Sequence, residues 1–301
     1  MATNVAIIKE NVMFAITGIT GQVGGEVARN LLANEKQIRA VVRNADKAKH
    51  WEKPGSHIFI ADMNDATALT KAFTGTEGVF IMLPPTFDPS AGFTEARQTI
   101  KVIREALARA NPPKVVCLST IGADSKNPNL LNQLGMLEHE LSTLDMPIAF
   151  LRAAWFMENS NWDIASALEK GVIYSFLQPL DKPFPMIATA DVGQTAAELL
   201  QEDWQGIRII NLETEVRISP NDIAAAFTKT LGKTVNAESV PQDIWFILFT
   251  SQGMKNPLPR IQMLNGFNQG WIEFSPHGTE IRKGKVKMER VLEKLIANAI
   301  N

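Results

Sequence analysis

The stretch TGITGQVGGEVARNLL, Thr17 to Leu32, follows directly on the apolar run VMFAI and holds glycines at 18, 21, 24 and 25 before it turns helical. A strand that hands over to a helix through such a turn suits a dinucleotide. Gly18 serves the tight turn, Gly21 lets backbone amides approach a pyrophosphate, and Gly24 lets the helix pack hard on the strand. The helix N-terminus then offers unpaired N–H groups and a partial positive charge to the phosphates. Thr20 or Gln22 can add a side-chain bond. The competing reading is of glycines that merely end a strand and begin a helix. Their place after the first strand, opening an amphipathic helix, favours the dinucleotide.

Outward from this turn, short apolar runs alternate with helical patterns. VMFAIT (12–17), IRAVV (38–42), HIFIA (57–61), GVFIML (78–83), KVVCLS (114–119) and PIAFLR (147–152) read as strands. They are continuous rather than alternating, as strands buried on both faces are. GGEVARNLLANE, DATALTKAF and EARQTIKVIREALARA lie between them as helices. The rhythm predicts an α/β fold with a doubly wound parallel sheet of Rossmann type. The second half is less regular. Asp191 reads as the N-cap of a helix over 191–202, IRIINLE (207–213) as a late strand, and SPNDIAAAFTKTLGK (219–233) as a capped helix ending near Gly232. From 241 onward the pattern is apolar and helical. The expected plan is a dinucleotide-binding domain over 1–155, its sheet rejoined by the late strand, and a smaller, discontinuous mixed α/β substrate domain over 156–301.

Composition narrows the function classes. Of 301 residues, 45% are hydrophobic and 21% charged, with a formal charge of −2. That balance is ordinary for a globular protein and argues against nucleic acid or an anionic membrane as partner. The single cysteine, Cys117, excludes an internal disulfide framework and a multi-cysteine zinc site and suits a reducing compartment. The start, MATNVAIIKENVMF, lacks the pattern of a signal peptide, and IWFILF (244–249) is too short to span a bilayer. A cytoplasmic protein is expected.

The Gly-x-x-Gly-x-x-Gly spacing resembles the fingerprint of extended and atypical short-chain dehydrogenase/reductases. VVRNADKA (41–48), ADMNDATALTKAFTGTEGVFIMLPP (61–85), VVCLSTIGAD (115–124), LEHELSTLDMPIAFLRAAWFMEN (137–159) and DVGQTAAELL (191–200) follow in order. The ordered set resembles the NmrA-like family, including its NADPH-dependent quinone-reductase branch, through about residue 240. The resemblance implies a cofactor site drawn from Gly18, Thr20, Gly21, Gln22, Val23, Gly24, Arg43, Lys47, Asp62, Met63, Leu83 and Pro84. Asp62 would sit near the adenine edge, unless it is a loop or cap residue.

NADP(H) is expected in preference to NAD(H). An acidic residue about 20 positions after the glycines would bind the ribose 2′-hydroxyl of NAD. VVRN stands there instead, with Arg43 and no adjacent carboxylate, and Lys47 and Lys49 just beyond. An arginine fork matches a 2′-phosphate, worth about 1.5–3 kcal/mol; a solvated charge at a strand end is the alternative.

The Tyr-x-x-x-Lys pair with which most short-chain dehydrogenases protonate substrate is absent. The sole tyrosine, Tyr174, is followed four residues later by Gln178, and Leu131 and Gly135 stand where the pair would fall. Ser119 and Thr120 remain as catalytic candidates at the end of the fifth strand, where a hydroxyl can orient a carbonyl; alone, it is a poor general acid. Glu138, His139 and Glu140 are adjacent on one helix and make a poor metal site, and His50, His57 and His277 lack metal-ligand spacing, so no metal is expected. Cys117 reads as core. Trp155 and Phe156 line a substrate pocket or pack a hinge.

Two functions follow. One is an NADPH-dependent reductase of a small-molecule acceptor such as a quinone, whose reduced oxyanion is resonance-stabilised and needs no positioned acid. The other is a non-catalytic NADP(H) sensor acting through a protein partner. A related isomerase or aromatic-alcohol reductase, and a homo-oligomer, stay open.

Overall fold

The computed structural model describes residues 12–275 and 279–300. The reading of the N-terminal stretch therefore falls largely outside the described residues, and that of His277 wholly so. Eight strands build the main sheet: β1 Met13–Thr17, β2 Gln37–Val42, β3 Ser56–Ile60, β4 Gly78–Ile81, β5 Val115–Thr120, β6 Ile148–Ala153, β10 Ile207–Thr214 and β12 Glu280–Gly284. Between the last of these lie the short strands β7 Trp155–Phe156, β8 Val172–Ser175, β9 Met186–Ile187 and β11 Asn236–Ser239, which pair as β7 with β9 and β8 with β11. The main sheet runs β12-β10-β6-β5-β4-β1-β2-β3, and every neighbouring pair is parallel. This is the doubly wound Rossmann-type α/β fold.

The continuous apolar runs are explained by burial on both faces. Phe14, Ile16, Phe80, Val116, Leu118 and Leu151 face one core with α1 (Gln22–Ala33) and α6 (Thr189–Gln201). Ala15, Val79, Ile81, Val115, Cys117 and Phe150 face the other, with α2 (Ala66–Phe73), α3 (Thr94–Ala110) and α4 (Asn132–Leu141). The helices α1 and α6 touch so closely that a Cβ on Gly193 would lie 2.3 Å from Glu26 Cβ. A third core, built around Phe184, Phe227, Trp245 and Phe249, gathers α5 (Ile164–Lys170), α7 (Pro220–Leu231), α8 (Trp245–Ser251), α9 (Leu258–Gln269) and α10 (Met288–Ile300) beyond the strand ends.

Two expectations need correction. Asp191 is not an N-cap. The helix starts at Thr189, because the Glu158 carboxylate accepts from the Thr189 N–H at 2.9 Å and its hydroxyl at 2.7 Å. Asp191 instead lies in the first turn and accepts from the Lys285 and Val286 amides at 3.1 and 3.0 Å. The region after 241 is also not purely helical, since β12 forms the sheet's edge. Its sequence, EIRKG, looks unlike a strand because its charges are paired: Glu280 with Arg208, Arg282 with Glu202 and Lys283 with Glu213. The helix at 219 is as expected, with a Ser219–Asp222 capping box and Gly232 left-handed at its end.

Candidate active site

The sheet order reverses between β1 and β4, and in such sheets ligands bind in the crevice beyond the strand ends at the reversal. Thr17 closes its floor: Oγ1 donates to Phe80 O at 3.0 Å and accepts from Met82 N at 3.2 Å. Gly18 then turns at φ +64°, where a Cβ would lie 2.3 Å from Met82 Sδ. The Gly21 N–H returns to Gly18 O at 2.9 Å, and α1 begins at the next residue. A Cβ on Gly24 would lie 2.3 Å from Gly18 O, so glycine there lets the helix seat against the turn.

The start of α1 is left open. No side chain caps it and no acidic residue occupies its first turn. The amides of Gln22, Val23 and Gly24 have no acceptor earlier in the helix, and Thr20, Gly21 and Gln22 are exposed. This is a set of donors fit for a phosphate. Arg43 follows β2 and Lys47 lies four residues on; both are exposed, and no described residue pairs with either. Asp62, exposed after β3, accepts from the Asn64 N–H at 2.8 Å, so it organises the turn into α2. Val23 and Met63 are packed in the cores.

A cavity of about 830 Å³ extends from this edge to the third core. Of the expected residues it brings together Gln22, Leu83, Pro84, Ser119, Thr120, Trp155 and Phe156; Gly18, Thr20, Gly21, Val23, Gly24, Arg43, Lys47, Asp62 and Met63 do not line it. Its far wall includes Phe176, Leu248, Met263 and Phe267, and Trp155 meets Phe267 edge-to-face at 5.3 Å. The lining is mainly apolar, with a few polar groups, as small-molecule sites are.

Ser119 and Thr120 differ in what they can offer. The Ser119 hydroxyl donates to Glu138 Oε1 at 2.5 Å, and Arg152 grips the same carboxylate with Nε at 2.9 Å and Nη2 at 2.7 Å. Arg152 Nη1 also reaches Asp124 at 2.7 Å. Burial acts to lower the Arg152 pKa, but hydrogen bonds and charges from Glu138 and then Asp124 outweigh it, and the net shift is upward. The Ser119 proton is thus committed, whereas the Thr120 hydroxyl lines the cavity with no described partner. The same network turns Glu138 inward while His139 and Glu140 stay exposed. Among the described residues no cluster of three His, Cys, Asp or Glu could hold a metal. Gly135, where the sequence comparison with short-chain dehydrogenases would set the lysine, packs so tightly that a Cβ would sit 2.2 Å from Ala123 O. A lysine has no room there.

Several polar cavity residues were not assigned to a site from sequence. Gln133 is buried, with Nε2 donating to Thr86 O and Leu130 O while Oε1 has no partner. Tyr174 stands on the rim, 42% exposed. Burial pushes the Asp163 carboxyl up to about 7, against a smaller lowering by the Tyr174 backbone. Arg260 enters from α9. No motif marks them. They converge only because the third core folds over the strand ends.

Among the described residues no helix is long and apolar enough to cross a membrane. The chain is 28% identical to quinone oxidoreductase 2 of Escherichia coli (strain K12) over 248 residues, 82% of this chain and 84% of that protein. It is 24% identical to an NAD(P)H azoreductase of Xenophilus azovorans, over 82% of this chain and 83% of that one. The structure matches that of the NADPH-dependent quinone oxidoreductase QOR2 complexed with NADPH, from Escherichia coli, with a TM-score of 0.75 at 24% identity, covering 96% and 100% of the two chains. It also matches NmrA, a negative transcriptional regulator solved with NAD, at a TM-score of 0.73 and 19% identity over 97% of each chain. The NmrA-like family profile covers residues 10–280, past the point where the motifs fade, and the chain belongs to the NmrA-like family.

Proposed function

We propose that this chain is an NADPH-dependent reductase that passes hydride to a quinone or similarly electron-poor acceptor. The observation that carries the reading is one continuous cavity, reaching from Gln22 at the open start of α1, past Thr120, to an apolar far wall. The relatives named quinone oxidoreductase and azoreductase support it. The open amides of α1 would hold the pyrophosphate and Arg43, with Lys47, the 2′-phosphate. When bound, the nicotinamide supplies hydride. Thr120 would orient the acceptor carbonyl through its free hydroxyl, while the Ser119–Glu138–Arg152 network holds the end of β5 in place. Trp155 and Phe156 would pack against the acceptor ring and exclude water.

A quinone disperses the incoming charge over its ring and takes its proton from water afterwards. An unactivated ketone concentrates that charge on one oxygen and needs a positioned donor. Steady-state NADPH consumption should therefore be strong across a quinone series and weak across a ketone series. Efficient ketone reduction would overturn this account and point to a proton donor in the cavity, with Asp163 the first to replace. The likeness to regulator structures solved with NAD and with NADP supports a second reading, a nucleotide sensor. Tight NADPH binding without turnover on any acceptor, together with a nucleotide-dependent protease pattern, would favour it.

A further inference from the structure

Arg260 stands in the first turn of α9 and lines the cavity on the side away from the glycine turn. Its guanidinium lies over the Phe249 ring at 4.4 Å and the Trp162 ring at 5.5 Å, and Nη1 reaches only Met254 Sδ, at 3.8 Å. No described carboxylate pairs with it. Its surroundings contrast with those of Arg152, Arg208, Arg217 and Arg282, each of which is held by carboxylates. Burial pulls the Arg260 pKa down with nothing to offset it. A cation in the first turn of a helix also sits at the positive end of the helix dipole. Two aromatic rings compensate only in part, through attraction of the cation to their faces. A partly desolvated cation, placed against its helix dipole and short of a counter-charge, gains from contact with an anion.

We infer that Arg260 selects acceptors that carry an oxyanion: an aromatic ring bearing a carboxylate or sulfonate, the charged group on the guanidinium and the ring directed along the cavity toward Thr120. This rests on the reductase reading for the word acceptor, and on the geometry alone for the anion. The planar fork of arginine suits a two-oxygen anion. With the guanidinium carbon over the Phe249 and Trp162 rings and only Nη1 partnered, by Met254 Sδ, donors remain for the ligand. Neutral quinones of the same shape would bind without this contact.

The test uses redox-inert probes, so that binding is read apart from turnover. Calorimetric titration of the full chain, with and without NADP⁺, compares naphthalene-2-carboxylate, naphthalene-2-sulfonate and the neutral naphthalene-2-carboxamide. The wild type should bind both anions at least about tenfold more tightly than the carboxamide. Arg260→Met should remove that difference and leave carboxamide affinity near the wild-type value, while Arg260→Lys should keep part of it. A preference for carboxylate over sulfonate, or the reverse, identifies which oxyanion fits. Equal binding of charged and neutral probes by wild type overturns the inference, as does a preference that persists in Arg260→Met. Should Arg260→Met fail to fold, Arg260→Gln and the wild-type comparison decide it. Anion preference without NADPH oxidation by any quinone would leave the site standing and remove the reductase; quinone turnover without anion preference would do the opposite.

Discussion

Asp163 shows what one desolvated carboxyl does to the molecule. Burial raises its pKa to about 7, the Tyr174 backbone opposing, whereas an unfolded aspartate titrates at about 3.9. Between these values the folded chain holds a proton that the unfolded chain has released. The stability from this group is complete below about pH 4 and is lost as pH rises through about 7. Asp163→Asn, neutral throughout, should be more stable than wild type at pH 8 by about 2–4 kcal/mol, with the gap closing by pH 4; denaturant melts at both values measure it. Arg43 acts at the same scale. Its side chain is exposed and without a described partner. Arg43→Asp should weaken NADPH binding by at least about tenfold while sparing NADH, read by fluorescence titration. Equal wild-type affinities would reduce Arg43 to a surface charge. Arg43 could be singled out from sequence because its neighbours place it at the end of a strand. Asp163 and Arg260 could not, because nothing local says that the third core will bring them to the cavity and partly desolvate them.

The glycine turn is an element whose reading needs only its own residues. Gly18 and Gly24 are fixed by contacts within Thr17–Gly24 and with Met82, so spacing alone conveys their purpose. Gly21 differs. Its φ is −92°, outside the left-handed region, and a Cβ there would meet only Gly18 O, at 3.3 Å, a close contact that a small local shift relieves. Gly21→Asp should therefore fold, with native circular dichroism, and lose NADPH binding, because a negative charge then occupies the mouth of the amide cradle. Unchanged affinity would remove the pyrophosphate from this turn. Elements fixed from outside were misread for the same physical reason. The start of α6 is set by Glu158, 31 residues away, and β12 is a strand because Glu202, Arg208 and Glu213 neutralise it.

Across the whole molecule, the last described stretch stitches the cores together. β12 closes the sheet edge and α10 packs in the third core, so the chain crosses between them at 285–287. Asp191 holds that crossing by accepting two amides from it. Gly284 leaves no slack, since a Cβ there would sit 2.6 Å from Asp191 Oδ2. Asp191→Ala strands both amides and should cost about 1–3 kcal/mol, seen as a lower denaturant midpoint. Replacing a mere helix cap would cost about 1 kcal/mol and leave the C-terminal segment's hydrogen exchange unchanged; here exchange at 285 and 286 should quicken. The doubly wound plan was readable from the alternation of apolar runs. The cavity was not, because its far wall comes from a core assembled out of α5 and α7–α10.

Cys117 lies in the middle of β5, fully buried, while its neighbours Leu118 and Ser119 line the cavity. Burial, and then the charge of Glu138, push its thiol well above the ordinary range. Quinones are not only oxidants; they are alkylating agents that add to thiolates. A protein that handles them all day is exposed to suicide by its own substrate. This chain has one thiol in all, fully buried in β5 and with its pKa raised, so on the reductase reading proposed above the folded chain offers a quinone no exposed thiol to arylate.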